Sequence, residues 1–251
     1  MKRFILSLFT LISLLATQPM LGQSASEIIR KSEEIRRGVK SSQGTMVMTL
    51  VRPSYTRTMT MKMYQQGDDY ALITIQDPAR DKGSSTLKRA SEVWSWNPKI
   101  ERVVKLPPSM MNQSWMGSDF TNDDLVREIS LVTDYTHTLL KDSTIAGRSC
   151  WKVELKPKAN VGVVWGKVNL FVDKKDYLQM RVEYFDEDFA RVSILQGTEV
   201  KTLGGRPVVS KTEMIPLEKP GQKTIMEITA MQFDAAIPAE YFTTQYLQRI
   251  R

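Results

Sequence analysis

The sequence predicts a mainly β, single-domain protein in which one helix precedes a curved antiparallel sheet. Two observations support this prediction. Apolar residues recur at every second position through much of the chain, which is the spacing of strands with one buried face. Turn-forming pairs such as Gly204-Gly205 and Pro220-Gly221 separate successive strands. Because a sheet with one apolar face must curl or be covered, we expect short helices to plug its concave side.

The first 22 residues have the pattern of a signal peptide for export. Lys2 and Arg3 precede an apolar run over residues 4–16, which is too short for a comfortable membrane span of about 20 residues. A retained N-terminal anchor is the alternative. Removal of Lys2 and Arg3 with the signal peptide lowers the formal net charge from +7 to +5. This mild excess is compatible with transient contact with an anionic membrane and does not require nucleic acid. Residues 23–251 remain as one domain.

The order of elements follows from local patterns. Residues 24–41 predict an amphipathic helix, capped by Ser24 or Ser26, with Ile28, Ile35 and Val39 at helical spacing. Shorter helices are predicted near 121–128 and 238–247. The alternating segments predict strands at 45–50, 58–63, 70–76, 84–89, 92–97, 100–106, 134–140, 149–156, 163–172, 177–185, 190–200, 207–215 and 222–233.

A stripe of methionines is the first candidate for a binding surface. Two neighbouring strands place six apolar side chains on one face: Met46, Met48, Leu50, Met59, Met61 and Met63. Methionine is unbranched and polarizable, so it repacks around ligands of variable shape. An ordinary core is the alternative interpretation.

A long apolar loop over residues 106–125 is the second candidate. Its large side chains include Trp115, Met116 and Phe120, and loops of this length inside a compact domain are commonly functional. The loop predicts a lid over an apolar cavity, or a segment that only packs across the sheet. Trp94 and Trp96 share one strand face and are further candidates for the lining, with core packing as the alternative.

The acidic part of the same loop favours helix capping over chemistry. Asp119, Asp123 and Asp124 lack the ligand spacing and the central glycine of a calcium loop, and they suit backbone N–H groups at a helix start. The single Cys excludes an intrachain disulfide, and the single His argues against a His-based metal site. No nucleotide, nucleophile or dinucleotide motif is found. We therefore expect that the protein is not an enzyme and that it binds no cofactor and no metal.

One stretch resembles a known bacterial family. Residues 93–126, VWSWNPKIERVVKLPPSMMNQSWMGSDFTNDDLV, resemble outer-membrane lipoprotein-sorting proteins with a LolA/LolB-like domain, in the branch typified by an uncharacterised treponemal protein. Segments 82–89, 134–140, 163–188 and 211–228 match its pattern too. The resemblance implies a half-open β-barrel with helices as a lid around an apolar cavity. It also implies an arginine on the second strand that assists lid closure, for which Arg57 is the candidate.

The function implied by the resemblance is transport without catalysis. We expect a periplasmic carrier that binds the acyl chains of a lipoprotein or lipid, with an inner-membrane transporter as donor and an outer-membrane acceptor. The alternative is a non-catalytic accessory module of an envelope transporter, its cavity filled by its own side chains. An enzyme acting on envelope lipid is the third possibility. The cargo and the oligomeric state do not follow from the sequence.

Overall fold

A computed structural model describes residues 23–126, 130–159, 161 and 164–250 of the chain. The predicted signal peptide lies outside these residues. The helix α1 spans Ala25–Arg37, and Ser24 caps it by accepting a hydrogen bond from the Glu27 N–H. It ends four residues before residue 41, the predicted boundary, with Gly38 as its C-cap and the Gly38 N–H bonded to the Glu34 carbonyl.

The thirteen predicted strands form one antiparallel sheet. Its two edge strands, β6 and β7, are not paired with each other, so the curved sheet stays unclosed, and the strand order is β6-β5-β4-β3-β2-β1-β13-β12-β11-β10-β9-β8-β7. The strands are β1 Ser41–Arg52, β2 Tyr55–Gln66, β3 Tyr70–Asp77, β4 Ser85–Arg89, β5 Glu92–Asn97, β6 Arg102–Lys105, β7 Tyr135–Ile145, β8 Arg148–Pro157, β9 Lys167–Asp173, β10 Gln179–Phe185, β11 Arg191–Leu203, β12 Arg206–Pro216 and β13 Lys223–Phe233.

Register shows which residues share a face. Directly paired positions on neighbouring strands point to the same side of a sheet. One such row crosses seven strands from β8 to β1, and we call its side the inner face. The row comprises Val153, Leu170, Val182, Leu195, Met214, Thr224 and Leu50.

Two apolar clusters pack on the inner face. On β8, β9 and β10, Ile28 and Ile29 of α1 are buried against Val153, Leu155 and Leu170. On β1, β2 and β3, the methionine cluster packs beneath Trp115. Between these clusters, the inner face of strands β10 to β13 lies opposite the second half of α1 and the loop that follows β6.

The C-terminal segment covers the outer face. A 3-10 turn at Ala239–Phe242 and the short helix α2, Thr244–Leu247, bury Phe242 and Leu247 against β3 and β4. The predicted helix near 238–247 is thus present in two short pieces, but it packs on the side opposite to α1. Of the helices in the described residues, none has the length and apolarity needed to cross a membrane.

Candidate functional site

A two-lobed cavity lies between α1 and the inner face of the sheet. The first lobe has a volume of about 480 Å³ and the second about 600 Å³, which is the size range of small-ligand sites. Arg36, Arg37, Gln179, Val182 and Leu195 line both lobes, so the lobes adjoin. The first lobe has a mainly apolar wall that includes Val39, Met63, Leu178, Val209, Ile228, Met231 and Phe233. The second lobe is lined by Phe120, Leu131, Tyr135, Val164, Trp165, Tyr184 and Met214, among others.

Ile35 shows that the first lobe is not filled by the protein's own side chains. It lies on the face of α1 that also presents Ile28, yet 51% of its surface is exposed. Ile28 fills space against strands β8 and β9, whereas Ile35, about two helical turns further along α1, lines open volume. An apolar ligand that covers such a side chain removes its surface from water, which stabilises the complex.

The methionine stripe forms a filled cluster instead of an open wall. Register pairs Met46 with Met61 and Met48 with Met59, and all four are buried together with Leu50. Met63 and Met116 pack against the cluster, and only Met63 of the predicted stripe also lines the first lobe. The stripe therefore faces the predicted side of the sheet and forms a floor beside the cavity. Its role in binding a ligand stays a prediction.

The loop between β6 and β7 crosses the inner face. We call residues 106–125 the cover loop. Trp115 is buried in the methionine cluster, and its indole Nε1–H donates to Thr86 Oγ1 at 3.1 Å. The Trp115 N–H also donates to the Phe120 carbonyl at 2.8 Å, which closes a tight turn in the middle of the loop. Because Trp115 anchors this turn, Phe120 is placed where it lines the second lobe.

A buried ion pair fastens the cover loop to β1. Arg52 Nη1 donates to the Asp119 carboxylate at 3.0 Å, and Arg52 Nη2 donates to the Gly117 carbonyl at 2.8 Å. Asp119 also accepts from Thr224 Oγ1 at 2.6 Å, so a strand from each end of the chain holds the loop. The interpretation of Asp119 as a helix cap is therefore wrong, because its carboxylate binds Arg52, which lies 67 residues earlier in the chain.

Asp124 and Arg57 are two further charged residues for which the sequence predicted a role. Asp124 and Thr121 bind each other reciprocally: the Asp124 carboxylate accepts from the N–H and hydroxyl of Thr121 at 2.7 and 2.8 Å, while Thr121 Oγ1 accepts from the Asp124 N–H. The 3-10 turn at Asp123–Leu125 has Asn122 as its N-cap, without a side-chain cap hydrogen bond, and positions 127 and 128 of the predicted helix lie outside the described residues. The Arg57 guanidinium pairs with Asp81 at 2.7 Å, so Arg57 is not the arginine that was predicted to assist closure of the lid. The arginine that binds the cover loop is Arg52.

Trp94 and Trp96 lie on the outer face, which corrects their assignment to the cavity. Register pairs Trp94 with Leu87 and Leu87 with Leu72, and this row points away from Met63 and the cavity. Trp96 is buried beneath the C-terminal segment, where its Nε1–H donates to the Ile250 carbonyl at 3.2 Å. The two tryptophans therefore belong to the packing of the C-terminal segment.

The residues that line the cavity on β10 and β11 were not among the predicted site residues. Val182 and Leu195 form a direct cross-strand pair, and both line the two lobes. Alternation of apolar residues along a strand predicts one buried face, but it does not distinguish the wall of a cavity from a packed core. Within the described residues, no group of three or more His, Cys, Asp or Glu side chains is arranged to hold a metal ion.

Comparison with known proteins places the chain in a family. The model of a family described only as an uncharacterized protein matches residues 67–249, well over half of the chain. The chain belongs to this family. The matched range begins after β2, so α1 and most of the methionine cluster precede it. The search of curated proteins finds no match.

Solved structures show that this member of the family has the LolA-like fold. A DUF1329 family protein from Desulfovibrio piger has a TM-score of 0.78 at 22% identity, over 89% of this chain and 97% of that chain. A putative outer membrane lipoprotein-sorting protein domain from Vibrio parahaemolyticus has a TM-score of 0.77 at 21% identity, over 90% and 98%. A LolA superfamily protein from Nitrosomonas europaea has a TM-score of 0.69 at 20% identity, over 88% and 98%. The fold predicted from the sequence is confirmed.

Proposed function

We propose that the protein is a carrier that binds acyl chains of a lipoprotein or lipid in the two-lobed cavity. The observation that supports this most directly is the unfilled space between α1 and strands β10 to β13. Its walls are mainly apolar, and they leave half of the Ile35 surface uncovered. The similarity in fold to an outer membrane lipoprotein-sorting domain agrees with this proposal.

The free energy of acyl burial determines how much apolar surface the cavity must offer to an acyl chain. Burying acyl carbons contributes roughly 0.8 kcal/mol per CH₂, so a free chain partitions into the nearest membrane unless a protein offers comparable burial. A cavity in the size range of small-ligand sites and lined by Val182, Leu195 and Ile228 offers such burial. Release must then come from a partner or from the acceptor membrane.

The proposal includes a location and partners. We propose that the chain is exported to the periplasm by its first 22 residues and contacts membranes transiently on the way from an inner-membrane transporter to an outer-membrane acceptor. These steps follow from the signal-peptide pattern and from the resemblance to lipoprotein-sorting proteins. Sequencing of the N-terminus of the periplasmic protein tests the export step, and recovery of Met1 on the mature protein contradicts it.

Binding of an uncharged acyl probe tests the carrier function. N-dodecyl dansylamide has one acyl-like chain and no charge, and its fluorescence rises when the dansyl group leaves water. We expect the wild-type protein to bind it. Leu195→Trp places an indole in the space shared by the two lobes and should weaken binding at least tenfold. Since Leu195 borders open volume, the larger side chain should not overpack the core.

Thr198→Trp is the matched control. Thr198 lies three residues further along the same strand, is exposed, and does not line either lobe. Both variants should melt within a few degrees of the wild type. If the wild-type protein binds no probe, the carrier function is wrong and the accessory-module alternative gains support. If folded Leu195→Trp binds as tightly as Thr198→Trp, the cavity is not the binding site.

A further inference from the structure

We infer that the cavity takes an amphiphile with an anionic head group, held at Arg36 where the two lobes join. This inference rests on the proposed function, because it names the chemical class of the cargo. Arg36 is in the last turn of α1 and lines both lobes, in company with apolar side chains such as Val182 and Leu195. A ligand whose chains enter either lobe therefore brings its polar end past Arg36.

The guanidinium of Arg36 has donors to offer. An arginine side chain carries five N–H donors. Among contacts within the described residues, Arg36 donates one side-chain hydrogen bond, to Glu33 at 2.8 Å, and 47% of its side chain is exposed. Glu33 is shared, since it also pairs with Arg37 at 3.3 Å. A phosphate or carboxylate at this place would form charge-assisted hydrogen bonds with the remaining donors.

The carboxylates that line the lobes are already held by donors of their own. Glu34 forms an ion pair with Arg30 on the surface of α1. Asp119 is bound by Arg52 and Thr224, and Asp124 is bound by Thr121. These hydrogen bonds and ion pairs weaken the repulsion between the carboxylates and an anionic ligand. Arg36 is thus a position along the cavity, shared by both lobes, where an incoming anion meets donors that it can use.

Extraction of labelled lipids from vesicles tests the head-group site. Pyrene-labelled phosphatidylglycerol and phosphatidylcholine with the same acyl chains are placed, one at a time and in trace amounts, in vesicles of phosphatidylcholine, so that both vesicle surfaces are alike. The label carried by the protein is measured after the vesicles are removed. We expect about tenfold more extraction of the anionic lipid, a factor that corresponds to about 1.4 kcal/mol.

Arg36→Gln should abolish this preference, measured as the ratio of phosphatidylglycerol to phosphatidylcholine extracted by the same protein sample. Arg249→Gln is the matched control, because Arg249 is 68% exposed, pairs with Glu240, and neither residue lines the lobes. It should keep the wild-type preference. Equal extraction of both lipids by the wild type, or a preference that survives Arg36→Gln, overturns the inference.

Two further measurements separate the sources of failure. Inorganic phosphate should not release phosphatidylglycerol from the protein; release would assign Arg36 to a free anion and overturn the lipid head group. Binding of N-dodecyl dansylamide is measured on the same samples. If the wild type binds the uncharged probe but shows no head-group preference, only this inference fails. If it binds neither the probe nor the lipids, the proposed function fails with it.

Discussion

The buried carboxylate of Asp119 is one of the contacts that hold the cover loop on the sheet, and its removal should be costly. Asp119→Ala leaves the Arg52 guanidinium without its anion in a site where the two side chains are only 10% and 5% exposed. Breaking a buried pair by removing one partner typically costs about 3–5 kcal/mol. Arg52 still donates to the carbonyls of Gly117, Val51 and Lys223, so we expect the lower end, about 3 kcal/mol.

Asp81→Ala is the matched comparison. It breaks the Arg57–Asp81 pair, which is shorter at 2.7 Å but has side chains that are 29% and 24% exposed. Since water solvates the remaining charge there, the loss should be about 1 kcal/mol or less. Burial, and not the distance between the charged atoms, therefore decides which variant loses more stability.

Denaturation by guanidinium chloride at constant pH measures both costs, and amide hydrogen exchange locates them. In Asp119→Ala the amides of Trp115 and Phe120 should lose protection before global unfolding. The double variant Arg52→Met with Asp119→Leu should recover most of the stability, since a buried pair can be replaced by apolar groups. Equal losses in Asp119→Ala and Asp81→Ala, or unchanged protection in the cover loop, would contradict the assigned role of Asp119.

Three other predictions concern the packed parts of the fold. Met61 is fully buried in the methionine cluster, so Met61→Ala should cost about 2–5 kcal/mol and Met61→Leu less than about 1.5, as measured by denaturation. Burial alone would raise the pKa of Asp173, but Arg148 and nearby backbone N–H groups lower it overall. The stabilisation by this pair is therefore present above the unfolded-state pKa of about 3.9 and is lost as the pH falls through the folded value. The difference in stability between wild type and Arg148→Met should shrink over that range, and a constant difference would contradict it. Burial raises the pKa of the Cys150 thiol to about 11, so the native protein should resist alkylation near pH 8, and rapid labelling without denaturant would refute its burial.

The sequence determined the elements and their order because the relevant signals are local. Ser24 and the spacing of Ile28 and Ile35 predict α1, and alternation predicts each of the strands, since side chains of successive residues in a strand point to opposite faces. The shared face of Met46, Met48, Met59 and Met61 follows from the same rule plus one tight turn. Antiparallel order also follows, because short turns permit no other pairing between consecutive strands.

The tertiary structure decided which face encloses the cavity and what covers it. Alternation gave Trp94 and Trp96 a common face, but α2 covers the outer side of β3 and β4, so an apolar face there did not mean an inner one. Cys150 on β8 is buried by a different set of residues, in a cluster with Phe171, Leu178 and Met180. An apolar row indicates burial without indicating which element buries it.

The cavity itself depends on contacts between distant parts of the chain. Arg36 and Ile35 line the same lobe as Val182 and Leu195, which lie about 150 residues away, and Arg52 reaches Asp119 only after the sheet has curved. No local pattern encodes the space left between such elements, since its size depends on how far α1 stands from strands β10 to β13. The sequence therefore determined the strands that form the walls, and only their packing against α1 and the cover loop decided where the walls stay uncovered.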